Sequence, residues 1–266
     1  MAKELRTSGV FNLGSLGGNA SGAPVYSGTW GATDSAFTLT TSPYHLTARN
    51  PGGWQARKFD YTLSSGKYYA EIYIDPGHSN MYVGLVSSGF SNGAGWVGDS
   101  TDGMGLSAVG GAVYSQGTGA DTVTGISFNS GSNVVQIAVD VDNRKAWWGV
   151  NGTWHSSSNP STNTDGISLR NDLTSGDLYF AISSINNTSD FHFNDGGNGT
   201  FNGELTANGN TDANGKGDFY YTVPTGFEGL YATGFGPADK PTRKWGGIQG
   251  RDVVTGTDPD FNLANT

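Results

Sequence analysis

Val139-Asp-Val-Asp-Asn-Arg-Lys-Ala-Trp-Trp-Gly-Val-Asn-Gly-Thr-Trp154 is the stretch whose reading decides the fold. Just before and into it, Asn133-Val-Val-Gln-Ile-Ala-Val-Asp140 sets Val135, Ile137 and Val139 at a period of two, so one face of a strand is expected to be buried there. Val141-Asp-Asn-Arg144 is a short polar break, and Lys145-Ala-Trp-Trp-Gly-Val150 resumes a strand pattern, which together predict a hairpin. Asn151-Gly152 supplies a second turn, because both residues tolerate positive φ. Successive side chains alternate across a strand, so Trp147 and Trp148 face opposite ways; one is expected to fill the interior and the other to cover a sheet face, with one of the pair accessible.

The same texture extends outward. Ala36–Thr41, Lys67–Ile74, Met81–Val86, Gly105–Tyr114 and Leu178–Ser183 each read as a strand, separated by clusters of Gly, Asn, Asp and Ser. Turn signals recurring roughly every ten residues, with almost no helical periodicity, predict an all-β fold, an antiparallel β-sandwich over residues 25–235. Its 43 glycines are in keeping with many tight turns, and aromatics at 12% supply a core. Residues 1–24 and 236–266 lack a strand pattern and are expected to be N- and C-terminal arms. Their apolar points Phe11, Leu13, Leu16, Trp245, Ile248 and Phe261 are candidates for assembly contacts with neighbouring subunits.

Composition also excludes. The 14 Lys and Arg residues are scattered through a chain of net charge −9, with no basic stripe to neutralise phosphates, so nucleic acid is not an expected partner. With no cysteine there is no disulfide, thiolate-bound zinc or thiol catalysis. No apolar run reaches the length of a membrane span or a signal peptide, so synthesis in a cytoplasm without membrane insertion is expected.

Several of these segments resemble the SPRY family of concanavalin-like, jelly-roll sandwiches. Gly66-Lys-Tyr-Tyr-Ala-Glu-Ile72 resembles that family's G-x-Y-Y-x-E strand, Tyr82-Val-Gly-Leu-Val86 the strand after it, and residues 139–154 its most specific segment, ending in N-G-x-W. Leu178-Tyr-Phe-Ala-Ile182 is similar to a further strand of the family but lacks its usual proline. The resemblance spans about residues 60–195 and implies binding through loops at one end of the sandwich. Phe191-His-Phe-Asn194, residues 209–221 and Pro224-Thr-Gly-Phe227 are similar to a pattern in SPRY-like proteins of bacteriophages, where it occurs in tail or other virion proteins. The stretch Leu230–Pro237 departs from the ending usual there. This second resemblance implies a bacteriophage virion protein on the particle exterior, in contact with other virion proteins and as a homo-oligomer.

For chemistry the sequence offers few convergent groups. It contains no G-x-S-x-G, H-E-x-x-H or phosphate-loop motif, and His45, His78, His155 and His192 are widely spaced. His192, between Phe191 and Phe193, reads as a strand residue facing solvent. Glu71 and Asp75 come nearest to a glycosidase pair, but Asp75 begins a turn and solvated turn chemistry accounts for it better. Asp140 and Asp142 suit hairpin capping. A non-enzymatic protein is therefore expected. The loop Asn210-Thr-Asp-Ala-Asn-Gly-Lys-Gly-Asp218 spaces Asn210, Asp212, Asn214 and Asp218 like the start of a calcium loop. Its twelfth position is Tyr221 instead of glutamate, and a connector rich in Asx turns is the alternative.

Binding is better served by the loop Ser91–Gly103, which sets Trp96 beside Asp99 and Asp102, and by Trp54 after Pro51-Gly-Gly. An indole covers the C–H face of a sugar while carboxylates accept its hydroxyls; alternatively, Trp96 folds back to pin its own loop. Two roles follow. The chain is expected to be a structural protein of a phage particle, a capsid decoration or tail component held by its arms. The alternative is a host-attachment module that binds cell-surface glycan or protein through sandwich loops.

Overall fold

The structure, a computed structural model, describes residues 30, 37–39, 44–48, 52–185 and 188–230. The strands in chain order are β1 (Phe37–Leu39), β2 (His45–Ala48), β3 (Gln55–Lys58), β4 (Lys67–Asp75), β5 (Met81–Ser87), β6 (Gly93–Ala94), β7 (Gly103–Ser107) and β8 (Ala112–Ser115). They continue with β9 (Thr118–Thr122), β10 (Asn133–Asp140), β11 (Lys145–Val150), β12 (Thr153–Trp154), β13 (Ile167–Ser168), β14 (Leu178–Ser184) and β15 (Asp190–Asn194). Among the described residues these form two antiparallel sheets. The first has the order β1-β2-β15-β4-β10-β11-β12, with β13 also pairing β11; the second runs β6-β3-β14-β5-β7-β8-β9. This is the expected all-β sandwich. The arm positions Phe11, Leu13, Leu16, Trp245, Ile248 and Phe261 lie outside the described residues.

The deciding hairpin forms as its sequence requires. Strand β10 pairs β11 from Asp140↔Lys145 to Val135↔Val150. Asp140 caps the reversal, accepting from Asn143 N and Nδ2, both at 2.9 Å, while Lys67 Nζ lies 3.3 Å from it. Asp142 accepts Gly66 N at 3.0 Å. The second turn has φ of 50° at Asn151 and 82° at Gly152. Val135, Ile137, Val139 and Trp148 enter the central core with Ile72, Val83, Leu85, Phe180 and Phe193. The Trp148 indole crosses that core and donates to Val83 O of the second sheet at 3.1 Å.

Three expectations are corrected here. Gly105–Tyr114 is two strands, β7 and β8, because Gly110 and Gly111 reverse the chain at φ of 71° and 79°. The outer face of the first sheet is not open. Residues 201–227 lie over it, and Phe219, Val223 and Phe227 pack on Tyr69, Ala138 and Trp147 while Phe201 packs on Tyr73 and Val134. Every residue of β10 is consequently buried. Trp147 and Trp148 do occupy different layers, but neither is accessible: Trp147 is sealed under Phe227 and donates to Thr164 O at 2.9 Å. His192 faces this cover instead of solvent. It is 1% exposed, stacks on His45 with ring centres 3.9 Å apart, and lies 3.0 Å from Asn202 Nδ2.

Glu71, read from sequence with turn chemistry, is fully buried between the first sheet and its cover. Its carboxylate accepts from Tyr69 OH at 2.8 Å, Asn194 Nδ2 at 2.9 Å, and the backbone N–H groups of Tyr220 and Tyr221 at 2.9 and 2.7 Å. Burial pushes its pKa up, and these four donors oppose that shift. A buried acceptor with every donor in place costs little, whereas its loss would orphan them together.

Candidate functional site

The segment Phe90–Gly103 crosses the outer face of the second sheet instead of projecting from its end. Its β6 portion pairs β3 through Gln55↔Ala94. Val97 N donates to Ser183 Oγ at 3.1 Å, Gly117 N to Gly98 O at 2.9 Å, and Gly95 N to Trp54 O at 3.2 Å. Val97 and Phe90 fill the space beneath with Ala56, Val86 and Ala181. This close approach depends on glycine. A Cβ at Gly105 would lie 2.3 Å from Val97 O, and one at Gly98, where φ is 110°, would lie 2.6 Å from Tyr114 O.

Pinned this way, Trp96 is half-buried among neighbouring rings. It stacks on Tyr82 with ring centres 4.2 Å apart and planes 27° from parallel, and meets Tyr114 edge-on at 5.6 Å. Trp54, on the chain entering β3, lies 6.0 Å from Trp96 and 5.4 Å from Tyr82. All four rings are half-buried. They form an aromatic shelf on the outside of the second sheet, flanked on the same sheet by Tyr179 and the Lys58 ammonium 4.5 Å from its ring. Burial first, and the neighbouring Tyr114 second, raise the pKa of Tyr82, opposed by a hydrogen bond with the Ser107 side chain.

The structure thus brings together Trp54 and Trp96, which sequence singled out separately. Trp96 both pins its loop and contributes to the shelf. Asp99 turns back on the same loop, its Oδ2 accepting Trp96 N at 3.1 Å, and thereby holds the backbone that carries the indole. Asp102 accepts the Ser100 hydroxyl, and its carbonyl holds Ser87 N at 2.9 Å, so it anchors the loop's exit from the sheet. Sequence reading missed Tyr82 and Tyr114. For Tyr82 a signal was present: it has the opposite parity to Met81, Val83 and Leu85, which enter the core.

The other candidate residues are placed as follows. Asp212 accepts three backbone N–H groups, Asn214 at 2.8 Å and Lys216 at 3.0 Å on Oδ1 and Gly229 at 3.1 Å on Oδ2. Asp218 Oδ1 accepts Gly209 N at 3.1 Å, Asn210 Nδ2 donates to Tyr220 O at 2.9 Å, and Asn214 Nδ2 donates to Glu228 at 2.9 Å. The acidic loop therefore organises Asx turns within the cover of the first sheet. No group of three His, Cys, Asp or Glu suited to a metal ion occurs among the described residues. His45 lies 2.8 Å from Asp190, His78 is exposed, and His155 lines a separate cleft.

No protein-family profile and no curated protein matches this chain. Among solved structures it is similar to the SPRY domain of human HERC1, at 18% sequence identity over 59% of this chain and 91% of that one, with a TM-score of 0.45.

Proposed function

We propose that the chain is a non-enzymatic bacteriophage virion protein that displays its sandwich on the particle exterior, and that the shelf of Trp54, Tyr82, Trp96 and Tyr114 is a recognition surface for cell-surface glycan. One observation carries the glycan reading: four half-buried rings gathered on an outer sheet face by a loop held at both ends. Indole and phenol faces suit the C–H faces of sugars. A surface ordered before binding loses less entropy when a ligand arrives. The virion setting is supported by the sequence resemblance of residues 191–194, 209–221 and 224–227. The first and last of these lie in or beside the buried layer on the opposite sheet, away from the shelf's own sheet.

A structural role held by the arms is the second reading. It is favoured by apolar residues at Phe11, Leu13, Leu16, Trp245, Ile248 and Phe261 spaced among Gly and Asn, which suit contacts with other virion proteins or with further copies of the chain. The two roles are compatible. A glycan array probed with the full chain and with Trp96→Ala tests the first: signals present for the parent and lost in the variant support it, and equal signals from both contradict it. If the parent binds host-cell protein but no glycan, the ligand class is protein.

A further inference from the structure

We propose that a second ligand site, for a single sugar residue or comparable polyol held by hydrogen bonds alone, lies in the cleft around His155. The cleft has a volume of about 360 Å³ and is lined by Asp121, Thr122, His155, Ser156, Asp165 and Arg170. That volume falls in the range of roughly 300–1,000 Å³ found for small-molecule sites. It opens where β9, at the edge of the second sheet, meets the turn after β12 and the chain entering β13.

Its walls are fastened. Ser156 N donates to Thr124 O at 2.8 Å, and Ser156 Oγ accepts Thr124 N at 3.1 Å. On the other side, Leu169 N donates to Arg144 O at 2.8 Å. Three non-glycine residues here hold left-handed backbone, Ser156 at φ of 49°, Ser157 at 60° and Asp165 at 50°. Such conformations persist where surrounding structure enforces them, and they gather at binding sites.

The observation that asks for a ligand is His155. It is 2% exposed, yet neither ring nitrogen has a hydrogen-bond partner. Buried polar atoms are nearly always partnered, so two orphaned nitrogens in a buried residue that lines the cleft call for an explanation. Burial holds this imidazole below its ordinary pKa, against the pull of Asp165 and Asp121. A neutral ring needs one donor and one acceptor from its partner.

The remaining wall chooses the ligand class. Arg170 is committed to Asp121 in a two-point pair, with Nη2 2.8 Å from Oδ1, so its charge does not call for an anion. The Asp165 carboxylate would repel one. A simple cation would leave the His155 N–H and the hydroxyls of Thr122 and Ser156 unanswered. Ile167 is the only large apolar side chain of the wall, so no ring-stacking platform exists here. Hydroxyl groups each donate and accept, and a sugar ring presents several to a mixed wall of this kind.

The test is an NMR titration of the isotope-labelled full chain with glucose, galactose, mannose and N-acetylglucosamine in turn, following the His155 imidazole. The expected result is a saturable shift with at least one sugar. Asp165→Asn, which keeps an exposed residue tolerant of left-handed backbone, should weaken that affinity about tenfold, the equivalent of one charge-assisted hydrogen bond. His155→Phe should abolish it. No saturable shift with any of the four, which would mean that ordered water alone serves the imidazole, overturns the proposal. So does a shift of equal affinity in the Asp165→Asn protein. The readout is at His155, so failure here leaves the aromatic shelf untouched.

Discussion

The carboxylate of Glu71 on β4 accepts the backbone N–H of Tyr221 at 2.7 Å across 150 positions of sequence. That bond joins the outer face of the first sheet to the segment covering it. It is continuous with a polar ladder in which Gly152 N donates to Gln136 Oε1 at 2.7 Å, Gln136 Nε2 to Tyr69 OH at 3.1 Å, and Tyr69 OH to Glu71 at 2.8 Å. Replacing Glu71 with Ala would remove the shared acceptor of four donors, of which Asn194 Nδ2 alone keeps another, Asp218 O at 3.0 Å. The expected loss is about 3 kcal/mol or more in chemical denaturation, since each buried donor left unsatisfied costs roughly 1–3 kcal/mol. Limited proteolysis should then cut within residues 200–225 before the core strands, because the cover detaches first.

Stability should depend on pH through two buried groups of opposite sign. Burial, opposed by hydrogen bonds from Gly197 N–H and Tyr44, pushes the Asp195 carboxyl up to about 7 from a usual 3.8. Its contribution is complete below pH 3.8 and is lost as pH rises through 7, because the folded protein must then ionise a buried acid. Burial first, and the nearby His45 second, hold His192 down at about 4 from a usual 6.5, against the pull of Asp190 and Asp75. Its contribution is complete above pH 6.5 and is lost as pH falls through 4.

Asp195→Asn should therefore gain stability over the parent progressively between pH 4 and 7, by on the order of a few kcal/mol at the upper end. His192→Gln should show the reverse trend, faring relatively better than the parent as pH falls through the same window. Urea denaturation at pH 4, 5.5 and 7 measures both differences; a constant offset for Asp195→Asn across the range would contradict the burial assigned to that carboxyl.

Gly105 sets the height of the loop that carries Trp96. Ala at this position would place its Cβ 2.3 Å from Val97 O and 3.2 Å from Tyr82 Cβ, backbone on one side and a shelf residue on the other. The loop must lift. The expected cost is about 1–3 kcal/mol, the usual cost of overpacking. Loss of the near-ultraviolet circular dichroism arising from the Trp96–Tyr82 stack, with the far-ultraviolet β signal retained, checks the geometry.

Asp212 is expected to act through the backbone it organises. Asp212→Ala removes the acceptor of three N–H groups and should lower stability by roughly 1–3 kcal/mol in the presence of a chelator. Thermal melts of parent and variant with chelator and with calcium give the check. A parent protein whose Tm rises with calcium, and a variant whose Tm does not, would instead assign Asp212 to an ion.

Much of the framework was legible because alternation is a local property. Val135, Ile137 and Val139 enter the core as their period of two requires, and Asn151-Gly152 makes its turn because both residues accept positive φ. The cover over the first sheet was not legible. Phe201, Phe219, Val223 and Phe227 are scattered among Gly, Asn and Asp with no period, and their burial is set by the sheet beneath them. That one omission explains why one tryptophan of the Trp147–Trp148 pair and His192 read as nearer solvent from sequence, and why the buried role of Glu71 is hidden there. The shelf was half legible. Trp54 and Trp96 carry the chemistry on their faces, but the pairing of β3 with β6 that unites them is a tertiary fact.

Trp54 and Trp96 are proposed to meet the ligand directly. The direct measurement follows the indole N–H signals of the nitrogen-15-labelled chain while a glycan that binds it is added. The signals of Trp54 and Trp96 should shift together and saturate together, while those of Trp147 and Trp148, sealed in the core and under the cover, stay fixed. Saturable binding that leaves the Trp54 and Trp96 signals in place would rule out the shelf as the binding surface.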